Sequence, residues 1–238
     1  MSSQLVFNLT HVLLAISLLL GFSEYIYLIK NFKKVFSHFK YLAFILLLIL
    51  GITSILFSFY QPQLLALTLL VLMGFLIIFD GSFNGGSDYM NFLVTLSLSV
   101  YTFSNSEIIK TGCLLYIGAQ SILSYFIAGF TKLLKPNWRN GQSLNKVINE
   151  SHYLITQEIN KFLSKFKSSF KFLSWFVIVL EISMPLGFVN FNIGVILIGM
   201  FFLFHLINIR LLKLNRFFFA WLSSYACIMF CFYKAAGY

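Results

Sequence analysis

Tyr125-Phe126-Ile127-Ala128-Gly129-Phe130-Thr131-Lys132-Leu133 closes the long apolar segment 111–134, and Pro136, Asn137, Trp138 and Arg139 follow. An apolar run that ends on a lysine reads in two ways. Either the ammonium snorkels from hydrocarbon to an interface, or it is held there for chemistry. Both readings make 111–134 a membrane helix.

The same reading extends over the chain. Of its 238 residues 59% are hydrophobic and 10% charged, and the mean hydropathy is +0.88. A soluble core of this size cannot hide so much apolar surface, which implies a polytopic membrane protein. The expected fold is all-α: a transmembrane helical bundle forming a single integral membrane domain over 1–238. About eight spans can be placed, at roughly 5–29, 41–60, 63–79, 89–104, 111–134, 171–189, 192–209 and 216–233. The third, fourth and seventh are near the shortest length that crosses hydrocarbon, and a re-entrant pair in place of two of them leaves the rest unchanged. The first apolar stretch is too long for the core of a signal peptide and has no basic residue ahead of it, so it is expected to stay as a span.

Charge orients these spans. Segment 30–40, link 135–171 and turn 210–216 hold fourteen of the seventeen Lys and Arg, and all three fall on one side of the eight-span arrangement. That side is expected to be cytoplasmic, in a bacterial inner membrane, with both termini outside. The net charge of +10 is therefore assigned to topology and to membrane lipids rather than to nucleic acid. In the link between spans five and six, Ile155, Ile159, Phe162, Phe166 and Phe170 form a stripe, while Lys161, Lys165, Lys167 and Lys171 lie off it. This predicts an amphipathic helix on the membrane face, or one packed on the bundle.

Few polar residues interrupt the spans. Asp80-Gly81-Ser82-Phe83-Asn84-Gly85-Gly86-Ser87-Asp88 reads as a turn, either a plain connector or a cover over a cavity mouth, with Ser87 or Asp88 as a helix cap. Gln120 and Tyr125 lie about 18 and about 10 Å of helix before Lys132. Gly118, Ala119, Ser121, Ala128 and Gly129 present a small surface where another helix can approach. Glu181 stands about ten residues into the sixth span, and Pro185 removes the amide that would normally bond its carbonyl. A carboxylate there must be paired, hydrogen-bonded or protonated. His205 and Asn208 share a helix face, and His titrates nearest neutrality.

Metal chemistry is not expected. His11, His38, His152 and His205 are scattered, and Cys113, Cys227 and Cys231 form no C-x-x-C pair.

Two arrangements of the ionisable residues stay open. If Lys132, Glu181 and His205 face one cavity, an apolar setting favours a neutral lysine able to take a proton from an acidic hydroxyl of a lipophilic ligand. If Lys132 and Glu181 pair directly, the lysine stays charged and is not that base.

The residues Gln120, Tyr125, Ala128-Gly129, Lys132-Leu133, Trp138 and Gly141, followed by Leu180-Glu181 and Phe204-His205-Leu206-Ile207-Asn208, carry a resemblance. Over about 80–233 the chain resembles the horizontally transferred transmembrane domain (HTTM) family, the membrane portion of vitamin K-dependent gamma-glutamyl carboxylase and its bacterial relatives. The resemblance implies that Lys132 is the base that deprotonates a quinol. It makes His205 a candidate for cavity or oxyanion hydrogen bonds and Glu181 one for positioning or proton balance. Gln120, Tyr125, Gly129, Trp138 and Asn208 become candidate cofactor-binding residues, with menaquinol or another isoprenoid quinol as the implied cofactor and a peptide substrate or separate protein as partner. The 238 residues include no large extramembrane portion of the kind that handles the carboxylase's peptide, and the charge bias puts Lys132 near the cytoplasmic face. The expected function is quinone or quinol handling. The alternatives are a non-catalytic scaffold or assembly subunit and, with no inverted repeat to support it, a transporter.

Overall fold

A computed structural model describes residues 1–149, 169–212 and 215–237, with side chains placed outside 210–215. Among the described residues every regular element is helical and no strand occurs. In chain order these are α1 Ser3–Val35, α2 His38–Phe57, α3 Leu65–Ile78, α4 Gly86–Phe103, α5 Glu107–Leu134, α6 Pro136–Arg139 and α7 Gln142–Asn149. They continue with α8 Ser169–Ser183, α9 Phe191–Leu212, α10 Asn215–Leu222 and α11 Tyr225–Ala235. Short 3-10 turns cover Pro62–Leu64 and Met184–Phe188.

Among the described residues six helical stretches are long and apolar enough to cross a membrane: Ser3–Val35, His38–Phe57, Glu107–Leu134, Ser169–Phe188, Phe191–Ile209 and Arg216–Ala235. The chain is thus an all-helical protein built for a membrane. The expected third segment is a shorter apolar helix over Pro62–Ile78. The fourth is α4, an 18-residue helix whose hydropathy is diluted by Ser87, Asp88, Asn91, Thr95, Ser97, Ser99 and Thr102. The seventh is a full-length helix, the 22-residue α9. The predicted amphipathic stripe falls outside the described residues, except for Phe170 at the start of α8.

Local chemistry sets the helix ends. Ser2 caps α1 by accepting the Leu5 amide, and Ser37 caps α2 by accepting the Lys40 amide. The turn between α3 and α4 takes left-handed backbone at Asp80 and Gly81. The Asp88 carboxylate accepts the Asn84 amide at 2.7 Å. Asp88 thus ties the turn down, while the residue at the cap position of α4 is Gly85, which makes no side-chain cap bond. Past Glu181 the helix cannot continue regularly through Pro185, and α8 gives way to the 3-10 turn at Met184.

The described residues fall into two compact units, Met1–Gly118 with Phe219–Phe230, and Ala119–Phe218 with Cys231–Tyr238. In the first unit α1 packs on α2 and α4, and α3 packs on α2 and α4. On α2, Phe44, Leu48, Gly51 and Ile55 are buried, whereas Leu42, Leu46, Ile49 and Leu56 are exposed. That division is the pattern of a helix with one face on protein and the other on lipid. Tyr25, Phe32, Phe36, Phe44, Phe75, Phe79 and Phe83 form a connected cluster of rings, with centroid separations such as 4.9 Å for Tyr25–Phe75 and 5.0 Å for Phe32–Phe44. In the second unit the buried side chains include Tyr125, Ile178, Leu180, Met184, Phe201 and Phe232.

Candidate functional site

Lys132 lies in the last turn of α5, where a cation is favoured by the helix dipole. Its ammonium donates to both carboxylate oxygens of Glu181 on α8, at 2.7 and 2.6 Å. The lysine side chain is 20% exposed and the glutamate side chain 9%. Of the two arrangements left open by the sequence, the direct ion pair is the one formed. The lysine nitrogen is thus held directly against the carboxylate.

Gly129, one turn before the lysine, makes this contact reachable. A β-carbon there would meet the Glu181 Cβ and the Ile182 backbone nitrogen, each at 2.8 Å. No other residue lets α5 and α8 come so close, and at a wider spacing the lysine could not present two short bonds to one carboxylate. The segment beyond α5 is held to α8 in the same manner. Gly141 has a φ of +84°, and a β-carbon on it would strike the Phe170 and Lys171 backbone at 2.5–2.8 Å. The Ser174 hydroxyl donates to the Trp138 carbonyl. These contacts bring the Trp138 ring to 5.3 Å from the Lys132 Nζ, a cation–π distance. The spacing Gly129–Lys132–Trp138–Gly141 is therefore a record of how one stretch of chain docks along α8. Ser174 was missed from sequence, because a serine in a helix carries no local sign that it bonds a carbonyl 36 residues earlier.

A second pair lies on the same helix. The Tyr125 hydroxyl and His205 Nε2 are 2.9 Å apart, both buried, with Phe201 of α9 against the tyrosine ring at 4.2 Å. Tyr125 precedes Lys132 by seven residues, or about 10 Å of helix rise. The described contacts thus give two hydrogen-bonded pairs on α5, Lys132 with Glu181 and Tyr125 with His205. Gln120 and Asn208 are half-buried and contribute to neither pair. No group of three His, Cys, Asp or Glu side chains suited to a metal occurs among the described residues.

The first unit contains polar contacts of a different kind. His11 Nε2 is 2.7 Å from the Ser58 hydroxyl, which itself donates to the Ile55 carbonyl at 2.6 Å. The serine proton is committed to that carbonyl, so His11 is the donor to Ser58 and carries its proton on Nε2. An open surface groove of about 610 Å3 in this unit, lined by Leu69, Leu96, Val100, Phe103 and Ile109 among others, contains none of the candidate residues.

No family model, no curated protein and no solved structure matches this chain.

Proposed function

We propose that this chain is a quinol-handling membrane enzyme of the vitamin K-dependent carboxylase-like, HTTM class, with Lys132 and Glu181 as its proton-exchanging pair. It sits in a bacterial inner membrane through about eight spans, with the basic links in the cytoplasm and both termini outside, as the charge asymmetry favours. The observation that carries the reading is the closed Lys132–Glu181 pair inside membrane-length helices. Ionisable groups are expensive in such helices and mark chemistry by default.

Both hydrogen bonds of the pair are short enough for a proton to pass from Nζ to a Glu181 oxygen. The product is a neutral amine beside a carboxylic acid, with no change in net charge. Apolar surroundings narrow the gap between the charged and the neutral pair. Lys132 then accepts a proton from an acidic hydroxyl of an isoprenoid quinol such as menaquinol, while Glu181 keeps the first proton. Tyr125 and His205 supply a neutral donor–acceptor pair two turns along α5 for a second oxygen of the ligand. The protein substrate, if one is modified, is delivered by a separate partner.

The test is menaquinol turnover by the protein in nanodiscs, with Lys132→Ala and Lys132→Gln compared with the wild type. Turnover lost in both variants supports the role of Lys132, and unchanged turnover rejects it. A second reading, a non-catalytic assembly subunit, is favoured by the backbone contacts at Gly129 and Gly141, which suit a lysine that serves only to clasp two helices. It predicts no turnover by the wild type and a partner protein that co-purifies at fixed stoichiometry.

A further inference from the structure

An ammonium has three N–H bonds. Two of those on Lys132 are taken by Glu181, and the Trp138 ring stands 5.3 Å from the nitrogen. Glu181 is buried, and Trp138 is the other described group at the ammonium. Trp138 is held there by its backbone. Its carbonyl accepts the Gly141 amide at 3.0 Å and the hydroxyl of Ser174, which is fully buried. Among the described contacts, the Pro136–Arg139 turn is held to α8 by the Ser174 bond and by the close backbone contact at Gly141.

We infer that Trp138 controls access to Lys132 and that Ser174 positions it. The indole face takes the third place around the ammonium that a ligand hydroxyl must occupy. A ligand reaches the amine only when the turn lifts from α8, and the Ser174–Trp138 bond is the contact that must then open. A flat ring that can stack on the indole is the chemical class best able to replace it, since it recovers the π contact while presenting an oxygen to the amine. This step rests on Lys132 being the reactive group, but its test does not need turnover.

The protein in nanodiscs is treated with a limiting amount of acetic anhydride, and acetylation of Lys132 is read by peptide mass spectrometry as a ratio to that of exposed Lys135. Trp138→Ala is expected to raise this ratio about fivefold, the factor set by losing a contact of cation–π strength. Ser174→Ala is expected to give a smaller rise, and Trp138→Phe, which keeps a ring, to stay near the wild type. General loosening would raise the ratio in Trp138→Phe as much as in Trp138→Ala, and that result overturns the inference. So does a ratio in Trp138→Ala equal to the wild-type value. A raised ratio in protein that shows no menaquinol turnover upholds access control and removes the quinol reading alone. Turnover with an unmoved ratio does the reverse.

Discussion

The two units treat their interior polar residues differently. Within the first, described contacts that join helices in the interior include the neutral pairs His11 with Ser58, Ser17 with Asn91 at 2.9 Å and Ser54 with Thr68 at 2.9 Å. Many of its hydroxyls turn back on their own helix, as Thr95 does to the Asn91 carbonyl and Ser99 to that of Thr95. The second unit places a carboxylate and an ammonium face to face between α5 and α8. Neutral pairs hold helices at a modest cost in desolvation, whereas a charged pair is stable only while both members are present. The interior contacts cited for the first unit thus join helices through neutral groups, and the second unit joins α5 to α8 through a charged pair.

The sharpest way to break this comparison is to remove one charge. Glu181→Leu leaves the Lys132 ammonium without its counter-ion and is expected to destabilise the protein by about 3–5 kcal/mol, read as a lower melting temperature in detergent. The double variant Lys132→Met with Glu181→Leu should recover most of that loss. A single variant as stable as the double would show that the pair is not a coupled unit.

Removing a ring from the first unit comes next. Phe44 is fully buried and touches Tyr25, Phe32, Phe36, Phe75 and Phe79. Phe44→Ala should cost about 3 kcal/mol through the cavity it leaves. Loss of stability with unchanged Lys132 acetylation would sharpen the separation of roles between the units. A change in acetylation would blur it.

The smallest effect is expected from the two histidine partners. Tyr125→Phe and Ser58→Ala each delete one hydrogen bond to a buried imidazole and should each cost about 1–2 kcal/mol. The comparison predicts that they part in function: Tyr125→Phe lowers menaquinol turnover and Ser58→Ala does not. Equal effects on turnover would remove the distinction between the two histidines.

Much of this was legible in the residues. The apolar segments foretold helices, because a helix in hydrocarbon satisfies its own backbone. The cost of a lone carboxylate at 181 foretold a partner. The small residue at 129 foretold close helix packing. Other features were not legible. Ser174 looked like any helical serine, and His11 looked isolated because its partner is 47 residues away. The choice between a shared cavity and a direct ion pair also stayed open, since it depends on how far apart two helices sit.

Composition and periodicity alone determined that this is a membrane-embedded helical protein and which few polar groups its spans must accommodate, since burying each of them in hydrocarbon has a cost that depends only on its chemistry. Only the tertiary structure decided which groups meet. Lys132 found Glu181 rather than His205 because the close approach at Gly129 and the dock at Gly141 fix α8 against the end of α5, and a hydrogen bond of 2.6–2.7 Å exists only where backbones are held to that tolerance.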